Sequence, residues 1–308
     1  MDMPEVAPPA DRPILGMGMR IVSATGFAIM AAFLKAASQR GAGTIEMLFY
    51  RSAGALPLVF LWAAFGPGIR SLGTRRPAAH LTRSAIGLTT MFFTFGALSL
   101  LPLGEATTIT YTAPVFSTIL SAVLLHEAIG ARRWAAVVTG FAGMLLVVQP
   151  GGGNGLSPVG VAMALTAALG QSAVMITLRQ IGKTEATSAI VFWFTTFCSL
   201  VGAAFLPFFG HIHDATTFAF LIGGGLFGGI AQIAMTSSLR YAPVSAVVPF
   251  DYLQILWATA IGWAIFASPA SATTLAGAAL ITASGVYTAY REGRRGQEPK
   301  QAFAPPEG

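Results

Sequence analysis

The sequence predicts an all-α membrane protein of ten transmembrane helices, built as two inverted five-helix repeats. Three observations predict it. Of the 308 residues, 54% are hydrophobic and only 10% are charged, whereas an ordinary soluble domain is about 25% charged. Apolar runs long enough to cross a bilayer core as helix, about 20 residues each, recur along nearly the whole chain with short polar joints between them. Finally, the halves match in order when the second is slid back by about 141–144 residues. Gly170 then falls on Gly26, Arg179 on Lys35, Phe192 to Phe194 on Phe49 to Arg51, and Gly277 on Ala136. Five spans per repeat is an odd number, so the second copy enters from the opposite face, a construction used by secondary transporters.

The polar, Pro-rich start (residues 1–13, MDMPEVAPPADRP) lacks the form of a cleavable signal and is expected to be a disordered tail. The run after it, 14–36, is span-length and is expected to act as its own uncleaved signal. The second span, 44–65, follows a turn bracketed by Lys35 and Glu46, which read as a solvated pair, and carries Arg51 about seven residues in. A basic segment precedes the third, 81–100. The fourth, 105–126, opens on Glu105, whose carboxylate either complements the positive end of the helix dipole or gates a substrate path. It closes at Glu127, read as an anchor near the Arg132–Arg133 pair that starts the fifth span, 132–149. Between these ends stand Tyr111, Thr112 and Pro114. A buried tyrosine hydroxyl needs a partner and a proline frees a backbone carbonyl. The helix is therefore expected either to kink beside a cavity or to pack with the tyrosine bonded to a neighbouring helix.

The first repeat thus covers 14–149. PGGGNG, in the link 150–155, lacks the Gly-Lys-Ser/Thr ending of a phosphate loop and reads as a flexible joint. The second repeat, 156–290, holds spans at 156–179, 186–208, 215–238, 242–266 and 271–290, and a polar tail, 291–308, follows. Gly224 with Gly228, and Gly225 with Gly229, have the small-xxx-small spacing that lets helices approach closely.

Lysine and arginine accumulate in cytoplasmic loops. With the amino terminus inside, that side holds Arg12, Arg70, Arg75, Arg76, Arg83, Arg132, Arg133, Arg179, Lys183, Arg240, Arg291, Arg294, Arg295 and Lys300, fourteen against only Lys35 and Arg40 outside. Arg20 and Arg51 lie within spans and are set aside. Both termini are therefore expected inside, and the net charge of +6 is topological, with no nucleic-acid partner implied.

Asp251 stands roughly nine residues into the ninth span, about 13 Å at 1.5 Å per residue. An acid at such depth is by default a functional hypothesis, and the repeat alignment sets it opposite Tyr111. Arg51, roughly 10 Å in from the other face, is its candidate cationic partner, or else a fork for a substrate carboxylate. Aromatic residues Phe92, Phe93, Phe95, Trp193, Tyr252 and Trp257 crowd the expected centre. Cys198 is the only cysteine, and His211 and His213 lack further ligands nearby. No metal site, cofactor or enzymatic constellation is expected.

Residues 97–151, ALSLLPLGEATTITYTAPVFSTILSAVLLHEAIGARRWAAVVTGFAGMLLVVQPG, resemble the helix 3 to 5 signature of the EamA type of the drug/metabolite transporter superfamily. SLRYAPVSAVVPFDYLQILWATAIGWAIF, with TLAGAALITASGVY shortly after, resembles the same signature in a second copy. Pro114 and Glu127 stand where the family has Pro and Glu; the second repeat holds Gln254 and Ser268 there. The resemblance implies a permease that moves amino acids or related metabolites, often outward, by alternating access without ATP. An uptake permease for a larger metabolite such as S-adenosylmethionine or riboflavin is the alternative. The expected substrate-binding residues are Arg51, Phe92, Tyr111, Trp193, Asp251, Tyr252, Gln254 and Trp257. The expected partners are a small-molecule substrate and the lipid bilayer of the inner membrane, with a proton as candidate coupling ion and a homodimer as candidate assembly.

Overall fold

The computed structural model describes residues 12–124, 131–149, 155–182, 184–242 and 244–295. Most of both expected tails, most of the Gly-rich link and Glu127 lie outside them. The described residues form helices α1 (Pro13–Gln39), α2 (Thr44–Phe65), α3 (Pro77–Leu100), α4 (Leu103–Thr110), α5 (Ala113–Leu124), α6 (Ala131–Val148), α7 (Pro158–Ile181), α8 (Thr187–Phe209), α9 (Ala215–Tyr241), α10 (Val244–Val247), α11 (Leu253–Phe266) and α12 (Ala272–Arg295). Each of the ten expected spans coincides with a helical segment among the described residues, the fourth with α4 and α5 and the ninth with α10 and α11. Among the described residues, five helices are each long and apolar enough alone to cross a membrane: those starting at Pro13, Thr44, Pro158, Thr187 and Ala215.

Local chemistry sets the ends. Pro13, Pro77 and Pro158 occupy the first turns of their helices, where a missing N–H costs nothing. Ser157 and Asp214 cap α7 and α9 by accepting from the backbone of Gly160 and Thr217. Glu46, in the first turn of α2, reaches back to the Gly43 N–H at 2.6 Å.

The principal helix pairings are α1 with α9, α3 with α7, α2 with α8 and α9, and α6 with α12. Exchange of the two halves maps α1–α9 onto α7–α3 and leaves α2–α8 and α6–α12 in place. The glycine spacing in α9 does what it predicts. A Cβ on Gly225 would meet the Tyr50 carbonyl oxygen at 2.4 Å and Gly54 Cα at 3.0 Å in α2, while Gly224 and Gly228 make room for Leu34 and Met30 of α1. Gly143 and Gly277 bring α6 and α12 equally close, each against the other's carbonyl. The surface is inverted relative to a soluble protein. Ile14, Phe65, Leu200, Phe208, Leu256 and Trp263 face outward, while Arg20, Lys35, Glu46, Arg51, Arg83 and Glu105 are buried.

Two expectations about charge are corrected. Lys35 and Glu46 are not a solvated pair. The Lys35 ammonium donates to the carbonyls of Leu98 (2.8 Å), Ser99 (3.3 Å) and Leu101 (2.7 Å), the negative end of α3. Glu46 accepts instead from the backbone N–H of His211 at 2.9 Å and meets His213 Nε2 at 2.8 Å. Arg83, counted with the loop arginines, is buried within α3.

Candidate functional site

Both fourth helices of the halves are interrupted, and proline is the cause. Pro114 has no N–H to give the Thr110 carbonyl, and Pro249 none for Ser245. Around the first break the chain tightens, with Thr112 N–H bonding to Ile109 at 3.1 Å before α5 restarts at Ala113. Around the second, Val248–Tyr252 forms a 3-10 turn between α10 and α11. Irregular backbone at membrane depth persists where it is buried in protein or lines a cavity. The fourth span is interrupted at Tyr111 and Thr112, and its tyrosine is bonded to a neighbouring helix, as the second of the two expectations has it.

The two breaks meet. The Tyr111 hydroxyl donates to Gln254 Oε1 at 2.7 Å, and the Tyr111 and Tyr252 rings lie 5.6 Å apart, tilted by 55°. Beside them Asp251 takes both prongs of a guanidinium, but that of Arg20 in α1: Nε to Oδ1 and Nη2 to Oδ2, each 2.5 Å. Arg20 also reaches the Met235 carbonyl of α9 at 3.4 Å. The candidate pairing of Asp251 with Arg51 is thereby corrected. Depth alone suggested it, whereas rotation about the helix axes turns Arg51 towards α9, where its Nη2 donates to Gln232 Oε1 at 3.0 Å. Arg20 is 3% exposed and the Asp251 side chain 23%, so the pair is held largely away from solvent. Tyr252 presses against α12, where a Cβ at Gly285 would sit 1.4 Å from its hydroxyl; a glycine is required there.

Tyr111, Asp251, Tyr252 and Gln254 thus form one cluster between α1, the α4–α5 break and the α10–α11 break. The other expected residues lie elsewhere. Phe92 packs half-buried on the core, edge-on to Phe93 at 5.6 Å. Trp193 donates from Nε1 to the Leu72 carbonyl at 3.0 Å, clamping the turn between α2 and α3. Trp257 points outward, 45% exposed. Sequence reasoning missed Arg20 and Gln232, although the rule that singled out Asp251, an ionisable group inside a span, applies equally to Arg20. Glu105 accepts weakly from Thr274 at 3.4 Å. Among the described residues no group of three or more metal-ligating side chains occurs. An apolar groove of 1120 Å³ opens outward between α1 and α9, lined by Leu15, Met19, Val22 and Ile230 among others, and holds none of these polar residues.

An apolar exterior, span-length helices and a buried polar centre define a multi-pass membrane protein. The chain belongs to the EamA-like transporter family, whose model matches residues 14–149 and 158–290. It is similar to a riboflavin transporter of Rhizobium johnstonii, 28% identical over 75% of this chain and 76% of the relative. It is also similar to the pseudopaline exporter CntI of Pseudomonas aeruginosa, 25% identical over 86% and 93%. A solved crystal structure shares the fold, with a TM-score of 0.62 and 20% identity over 91% of this chain and 99% of that one.

Proposed function

We propose that the protein is a secondary transporter that moves a small metabolite across the inner membrane by alternating access, with the cluster at the two helix breaks on the path. One observation carries this: residues from both broken helices, one in each half, bond directly across the molecule through Tyr111 and Gln254. An interrupted helix at mid-membrane is where transporters of repeated architecture place their sites. In this reading the halves are inverted copies, which the exchange of helix pairings supports, and both termini are cytoplasmic, which the basic loops support. The substrate is an amino acid or related metabolite moved outward. The Arg20–Asp251 fork and the tyrosine pair can offer charge, hydrogen bonds and aromatic faces to an ammonium, a carboxylate and an apolar side chain.

A second reading, uptake of a larger metabolite such as riboflavin or S-adenosylmethionine, is favoured by the similarity to a riboflavin transporter. Purified protein in liposomes, screened with labelled amino acids, nucleoside-like cofactors and vitamins with and without a proton gradient, separates the two. Amino-acid flux that Tyr111→Phe and Gln254→Leu reduce is the expected result. Flux of the larger compounds alone selects the second reading, and no flux of any compound counts against both.

A further inference from the structure

A second buried polar centre lies between α2, α3, α8 and α9. Arg51 and Arg83 are 4% and 5% exposed, and their guanidinium carbons lie 5.7 and 4.3 Å from the centroid of the same ring, Phe194. Beyond the bond from Arg51 to Gln232, Nε and Nη1 of both arginines are buried without a hydrogen-bond partner. Among the described residues, neither guanidinium has a carboxylate ion partner. On the same helices α2 and α8, the hydroxyls of Ser52, Thr195 and Thr196 are likewise buried and unpartnered.

Arginine stays protonated in proteins, so this region holds two buried positive charges. One phenyl ring and one amide oxygen offset only part of their desolvation. Four guanidinium nitrogens without acceptors, converging on one ring from two helices, lack a negatively charged group rich in lone pairs. A planar guanidinium matches a carboxylate or phosphate through paired N–H donors.

We propose that Arg51 and Arg83 form a subsite for an oxyanion group, carboxylate or phosphate, carried by the transported molecule. The proposal rests on the permease reading for its route and not for its binding chemistry. Phe194 backs both guanidiniums and holds them at the site; Gln232 positions Arg51.

The test measures thermal unfolding of the purified protein in an uncharged detergent, titrated with sodium phosphate or sodium benzoate at ionic strength matched by sodium chloride. Benzyl alcohol serves as the neutral control. Saturable stabilisation by an oxyanion but not by benzyl alcohol is expected. Phosphate alone or benzoate alone names the group preferred. Arg51→Gln and Arg83→Gln should each weaken the affinity at least tenfold. Gln232→Glu keeps the shape and sets a carboxylate on Arg51 itself, so it should raise the melting temperature of the ligand-free protein and weaken oxyanion affinity at least tenfold. This variant decides the matter if the arginine variants fail to fold. Absence of stabilisation by either oxyanion in the wild type overturns the proposal, as does a Gln232→Glu protein with unchanged melting temperature and affinity. Binding without transport in liposomes would instead overturn the permease route and leave the subsite standing.

Discussion

Replacing Arg20 with Met removes one member of the most buried ion pair at the helix breaks and leaves Asp251 facing an apolar side chain. Breaking a buried pair in this way costs about 3–5 kcal/mol, because the partner's charge remains buried and unmatched. Here the Asp251 side chain keeps 23% of its exposure and can recover part of its hydration, which places the loss nearer the lower bound, at about 3 kcal/mol. At roughly 2–4 °C per kcal/mol for a chain of this order of size, the melting temperature should fall by about 6–12 °C. Asp251→Leu should do comparable or greater harm, since Arg20 is almost wholly buried and cannot shed its charge. The double variant Arg20→Met/Asp251→Leu removes both charges and fills the space with hydrophobic atoms, so it should be more stable than either single variant. Thermal unfolding of the four proteins in one detergent closes the cycle. A double variant whose loss equals the sum of the singles would refute the pairing. If Asp251 also serves transport, the stabilised double variant remains inactive in liposomes.

Close packing of α9 predicts that Gly225→Leu, which has no room against the Tyr50 carbonyl and Gly54, costs about 1–3 kcal/mol or more. Gly18→Ala, with nothing within 4 Å of the added carbon, should leave unfolding of the purified protein unchanged or slightly improved. Asp214, in the loop before α9, is held down to about 2 chiefly by the hydrogen bond from Thr217, with desolvation opposing it and Arg40 adding to the lowering. A depressed carboxyl contributes stability above its ordinary value near 4 and loses it as pH falls through the folded value. The melting temperature should therefore fall between about pH 4 and pH 2 more steeply in wild type than in Asp214→Ala; parallel curves would contradict the assignment. In a Cys198→Ser background, single cysteines at 153 and 295 test the orientation, and an impermeant thiol reagent applied to intact cells should label position 153 alone.

Much of the fold was legible because each span must present a long apolar run to lipid, and such a run is visible without knowing its neighbours. The breaks were half legible. Pro114 marks the first, whereas Pro249 lies in an apolar run whose dominant polar signal is the neighbouring Asp251. Partners were the least legible. Counting residues gives depth along a helix but not the rotation that packing imposes, so it offers Arg51 as a candidate partner for Asp251, whereas Arg20 faces the acid from α1. Lys35 and Glu46 mislead in the opposite way. They lie on either side of one short turn, yet Lys35 serves carbonyls of α3 and Glu46 the segment before α9. Tyr111 and Asp251, both read from the sequence, do meet one neighbourhood.

The Arg20–Asp251 pair also has an order in time. Its members are separated by 231 residues, and at about 5–20 residues per second of synthesis the arginine waits roughly 10–50 seconds for its carboxylate. During that interval α1 stands in the bilayer with an unmatched charge, at a cost bounded by the roughly 2.5–3.5 kcal/mol that insertion scales give an arginine at a helix centre. The leucine, isoleucine, valine and phenylalanine residues of α1 must offset that cost unaided. A nascent chain that stops before α10 keeps an exposed cation in the membrane, a chemical mark by which an unfinished copy differs from a finished one.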